Sequence, residues 1–151
     1  MSQPIHLHRD LQALIDSLLS WAKSMISQNG SFNPFGAVMY ADGSIQWVAA
    51  DTGEEFPSSQ FLIEMLTEMF KRMAASGEIR AATICYDGLT IPPGESVMID
   101  VISFALEHRS GDSTTALLPY FRKEDEHVEC GEFSTIARPQ QFFLDSSIAI
   151  G

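Results

Sequence analysis

Between residues 7 and 26 the apolar side chains Leu7, Leu11, Leu14, Ile15, Leu18, Ala22, Met25 and Ile26 recur every three or four positions, with Arg9, Gln12, Asp16, Ser20 and Lys23 between them. This spacing predicts an amphipathic helix. Leu19 and Trp21 widen its stripe, Asp10 sits near the positive end of the dipole, and Asn29-Gly30 offers the left-handed residue that ends many helices. Two short runs rich in strand formers follow, 35–41 and 44–50, joined by Asp42-Gly43, a pair that accepts the positive φ angles of a two-residue hairpin turn. Alternation puts Ile45 and Trp47 on one face of the second run. A polar loop, 51–56, leads to Pro57-Ser58-Ser59, a cap for a second helix over 59–75 that stops at Ser76-Gly77. Its apolar arc, centred on Leu62, Met65, Leu66, Met69, Phe70 and Met73, is broad enough to suggest contact with more than one sheet.

Beyond Gly77 the period changes to that of strands, over 79–86, 97–108, 114–122 and 128–137, separated by the turn-rich DGLTIPPGES, RSGDS and KEDE. A last apolar piece, 141–144, suggests a short edge strand. The order α-β-β-α-β-β-β-β predicts an α+β fold: a largely antiparallel, five- to six-stranded sheet with both helices on one face. Residues 1–145 read as a single domain and 146–151 as a loose tail. In the strand 97–108, Ile99, Val101, Ser103 and Ala105 alternate with Met98, Ile102, Phe104 and Leu106, so both faces are apolar. With two helices on one side, something else must cover the other. The simplest layer is a second copy of the chain, which predicts a homodimer; the alternative is that the loop 88–96 folds over the face. Pro119, which donates no ladder hydrogen bond, predicts an interruption in the sheet.

Charge narrows the partners. The 151 residues hold 9 Lys+Arg against 20 Asp+Glu, a formal net charge of -11. A field of that sign disfavours nucleic acid and anionic membranes and permits a basic protein partner. Cys85 and Cys130 form no disulfide framework and no C-x-x-C pattern, and read as small buried apolar residues. Without a secretory pattern or a long apolar run, the sequence suggests a cytoplasmic location.

Candidate chemistry is sparse. Glu107 and His108 end the most apolar strand, where a carboxylate and an imidazole suit proton transfer, but adjacent residues on a strand point to opposite faces. Tyr120, on the next strand, could pair with either, and Arg109 completes the polar trio. Asp100 shares a face with Ile102, Phe104 and Leu106, so it needs solvent, a partner, or the loop at Pro92-Pro93-Gly94 to cap. Asp100, Glu107, His108, Arg109 and Tyr120 are therefore the candidate binding residues. His6 and His8 lack further ligands at motif spacing, so no metal is expected, and missing glycine fingerprints argue against nucleotide cofactors. No cofactor is assigned.

The segments FNPFGA at 32–37, Asp42-Gly43, Asp100, LEHRSG at 106–111, LLPY at 117–120 and CGEF at 130–133 together resemble a group of small bacterial proteins of uncharacterised function. The resemblance implies a bacterial cytoplasmic α+β domain and no particular activity. The residues favour a non-enzymatic, acidic protein-interaction module, with an immunity- or antitoxin-like role as an analogy from size and charge. The competing readings are a small-molecule binding protein or modest hydrolase with a pocket near Glu107, His108 and Tyr120, and a profilin-like or roadblock-like scaffold with this order of elements.

Overall fold

The computed structural model describes residues 6–51, 53, 55, 57–91, 94–125 and 127–144. The tail expected at 146–151 lies outside these residues, as do Pro92 and Pro93 of the loop that Asp100 was expected to cap. Two helices and seven strands follow one another as α1 (Arg9–Asn29), β1 (Phe35–Tyr40), β2 (Ile45–Val48), α2 (Ser59–Ala75), β3 (Ile79–Thr90), β4 (Ile99–His108), β5 (Ser113–Arg122), β6 (Val128–Cys130) and β7 (Ser134–Ala137). All pairings are antiparallel, in the order β2-β1-β3-β4-β5-β6, with β7 also paired to β5. The fold is α+β, in the element order the periodicity predicts, with the strand expected over 128–137 divided into β6 and β7 so that the sheet has seven strands.

Local chemistry explains the element ends. At the start of α1 the His8 ring takes the place of the usual hydroxyl or carboxylate cap, its Nδ1 accepting from the Asp10 amide at 3.0 Å. Gly30, at φ 83°, closes the helix in the left-handed conformation, and its amide donates to the Ile26 carbonyl. Ser58 caps α2 as expected, its Oγ accepting from the Phe61 amide at 3.1 Å. The β1–β2 turn is longer than the expected two-residue form. The Gly43 amide donates to Tyr40 O, and Tyr40 N to Ser44 O, which is a tight turn followed by a left-handed glycine. The Asp42 carboxylate accepts from the Ser44 amide and hydroxyl.

The helices lie on opposite faces of the sheet, which corrects the expectation that they share one. Leu11, Leu14, Ile15, Leu18, Ala22 and Ile26 of α1 pack on the face that carries Ala37, Cys85, Ile102, Phe104 and Leu118. Leu66 and Phe70 of α2 pack on the other face, with Val38, Ala82, Ile84 and Ala105. The physical reason is strand alternation: successive residues of β1, β3 and β4 feed two separate cores, and each helix has one stripe to bury. The stripe of α2 is narrower than its composition suggested, and it meets one sheet; only Leu62, Leu66 and Phe70 are fully buried.

The premise of a homodimer falls with that correction. Where β4 lies beyond the reach of α2, the segment after β7 crosses the second face and sets Phe142 edge-on against Phe70, with ring centroids 5.4 Å apart. Residues 141–144 are thus not an edge strand but a lid on the core. Val101, on the face expected to need a second copy, is 1% exposed within the lone chain.

Pro119 interrupts the sheet where expected. β6 and β7 run in line along one edge of β5, but Tyr120 opposes Cys130 while Leu117 opposes Ser134, so the outer strand holds one residue more than β5 between those pairs. The bulge lies opposite Pro119, which accepts from the Gly131 amide and has no N–H to return.

Candidate functional site

Three polar clusters stand out, and β4 contributes to each. The first is on the second face at the end of β4. Glu107 is fully buried, and its carboxylate accepts from Arg138 Nε at 3.0 Å and Nη2 at 2.9 Å. It also accepts from the amides of Gln141, Phe142 and Phe143 at 2.9, 2.8 and 3.3 Å. A buried charge so fully paired is an anchor for the segment after β7, with no acceptor capacity left for proton transfer. Arg138 also lies over the Phe142 ring, 5.1 Å from its centroid.

The second cluster is on the first face, one residue along. His108 Nδ1 accepts from the Ser110 amide at 3.0 Å, so the ring proton sits on Nε2 and is donated to Asp10 Oδ2 at 2.8 Å. Arg80 grips the same carboxylate, with Nε 3.2 Å from Oδ2 and Nη2 3.2 Å from Oδ1. The His8 ring stacks on His108 with centroids 3.9 Å apart. Burial alone would raise the Asp10 carboxyl, but the hydrogen bond from His108 and the charge and hydrogen bond of Arg80 outweigh it and hold the group below its ordinary value. His8, Asp10 and His108 bring three ligand atoms within 4.8 Å of one another. These atoms are already engaged, His8 Nδ1 by the Asp10 amide and His108 Nε2 by Asp10 Oδ2, and the Arg80 guanidinium on the same carboxylate repels a cation there. The cluster works as an ion-pair network that ties the start of α1 to β3 and β4.

The third cluster is at the opposite end of β4 on the first face. Tyr120 donates to Asp87 Oδ1 at 2.7 Å, and Asp100 stands beside them in a cleft of about 460 Å³ that Gly30, Met98, Ile99, Phe121 and Arg122 also line. Burial raises the Asp87 carboxyl; the Tyr120 hydrogen bond opposes this, and the charge of Asp100 adds to it. The Tyr120 hydroxyl is pushed well above its usual range by burial and by the same two carboxylates, so it serves as a donor and not as a base. Arg122 is engaged with the Ser27 carbonyl at 3.1 Å.

The five candidate residues therefore do not form one pocket. Glu107 and His108 face opposite sides, as their adjacency demanded. Asp100 and His108 are eight positions apart on β4, roughly 26 Å of strand, which separates His108 from Tyr120. Asp100 and Tyr120 are brought together, and Arg109 is exposed on the β4–β5 turn. Sequence reasoning missed Asp87, Asp10 and Arg80 as partners. Asp87 alone carried a signal, as an acid interrupting an apolar strand two residues after Cys85. The Cys85 thiol is fully buried and raised by that burial, and Cys130 is raised in the same direction, so neither is poised as a nucleophile.

Around the third cluster the surface is unusually greasy. β1 pairs with β3 only as far as Cys85, and β5 with β4 only from Val101, so beyond these points β3 and β4 continue as a two-stranded arm. Leu89, Ile91, Val97 and Met98 on the arm are 53–67% exposed, and Phe121 beside it is 49% exposed. Asp87, Glu95 and Asp100 are set among them. No helix among the described residues is long and apolar enough to cross a membrane. Comparison of the chain with protein-family models, curated proteins and solved structures gives no match.

Proposed function

We propose that this protein is a non-enzymatic, acidic interaction module that holds a basic, amphipathic segment of a partner protein on the β3–β4 arm. The observation that carries the reading is the arm itself: five large apolar side chains left in water around two carboxylates. Exposed apolar groups that cluster in this way mark interaction surfaces more often than isolated ones do. The acids beside them select the sign of the partner, and the net charge of -11 steers it from a distance. The three polar clusters supply no nucleophile with an activating base, which leaves recognition as the role the geometry serves best.

The test is capture by immobilised protein, comparing wild type with Leu89→Ser/Met98→Ser and with Asp87→Asn/Asp100→Asn. A cognate partner is retained by wild type at low salt, released as salt screens the charges, and lost with either double variant. Capture that ignores salt and both variants defeats the reading.

A further inference from the structure

The other end of the molecule has the opposite character. A groove of about 710 Å³ opens between the last turns of α2, the β4–β5 turn and the segment after β7. Lys71, Arg72 and Arg109 line it, which is three of the nine Lys+Arg of a chain holding 20 Asp+Glu. Glu68 is the one acid in the lining, and it pairs with Lys71 at 3.5 Å. Arg72 and Arg109 have no side-chain hydrogen bond or ion pair among the described residues, whereas Arg80 and Arg138 are each gripped by a carboxylate. In a chain with more than two acids per base, two unpaired guanidinium groups facing one groove are a notable departure. Arg72 lies in the last turn of α2, where its charge suits the helix dipole, but that leaves its hydrogen-bond donors unused.

Apart from Ser110, Gly111 and Gln140, the remaining lining is apolar. Phe142, Phe143, Leu144, Ala74 and Ala75 contribute to the lining, and Leu144 is 61% exposed. This wall is preset, because Glu107 clamps the amides of Phe142 and Phe143. A ligand arriving there meets a surface already ordered. The volume lies within the ordinary range for small-molecule sites, roughly 300–1,000 Å³.

We propose that this groove binds an amphipathic organic anion, a carboxylate on an aliphatic tail. The head lies between Arg72 and Arg109, which suit bidentate recognition of a carboxylate, and the tail lies along Phe143 and Leu144. The site is separate from the arm and does not depend on the role proposed for it.

The probe is sodium octanoate below its micellar concentration, followed by amide NMR of the full chain, with octanol and acetate as controls. The expected result is saturable shifts at Arg109 to Gly111 and Phe142 to Leu144, weaker with acetate and with octanol. Arg72→Gln and Arg109→Gln are exposed substitutions that leave the fold intact by circular dichroism, and each weakens octanoate binding about tenfold, the loss of one charged hydrogen bond. The proposal is overturned if octanol binds as well as octanoate, if Arg72→Gln and Arg109→Gln both bind like wild type, or if the shifts fall on Leu89, Met98 and Phe121 instead.

Discussion

Glu107 shows how much one residue can be asked to hold. Its carboxylate is the shared acceptor for Arg138 and three successive amides, all inside the second core. Glu107→Ala leaves a guanidinium and those amides unpaired, and is expected to cost about 3–5 kcal/mol in urea denaturation, against near-neutral effects for exposed acids. Asp87 works the other way. Its carboxyl is raised by burial, so the stabilising form is the protonated one, present below the ordinary aspartate value of 3.8 and lost as pH rises through the raised folded value. Asp87→Asn keeps an acceptor for Tyr120 without the charge. The variant should therefore melt at or above wild type at neutral pH, with the difference vanishing in acid, as thermal melts across that range will show. The opposed directions of Glu107 and His108 were legible in their adjacency. Their partners were not, because they lie 31–36 residues downstream of Glu107 and 98 residues before His108, a separation on which local pattern is silent.

At the scale of elements, the close approach of α2 to β1 depends on Gly36. A Cβ there would lie 2.6 Å from Phe70 Cζ, and Phe70 is itself fully buried and wedged against Phe142. Neither ring has room to retreat. Gly36→Ala is expected to destabilise by about 1–3 kcal/mol, measured by urea denaturation, with the packing of α1 unaffected because it lies across the sheet. Helix limits, the hairpin and the break at Pro119 were readable, since each is set by residues close in sequence. The side of the sheet that each helix takes was not. An apolar strand such as β4 declares that both its faces are covered, but not by which element, and the same pattern fits a second copy of the chain as well as α2 with Phe142.

At the scale of the whole molecule, the two ends of the sheet carry different groups. The β3–β4 arm gathers acids and exposed apolar groups, while the far end collects three cations around an apolar groove, and β4 spans the two. The chain presents two chemically distinct surfaces and a sheet whose faces are closed by its own helices together with the segment after β7. One feature also constrains how this architecture comes into being. On a ribosome, a chain that has emerged only to residue 130 already holds Glu107 but none of the five donors that neutralise it. Closure of the second core must wait for residues 138–143, so that half of the sheet is the last to be sealed during synthesis.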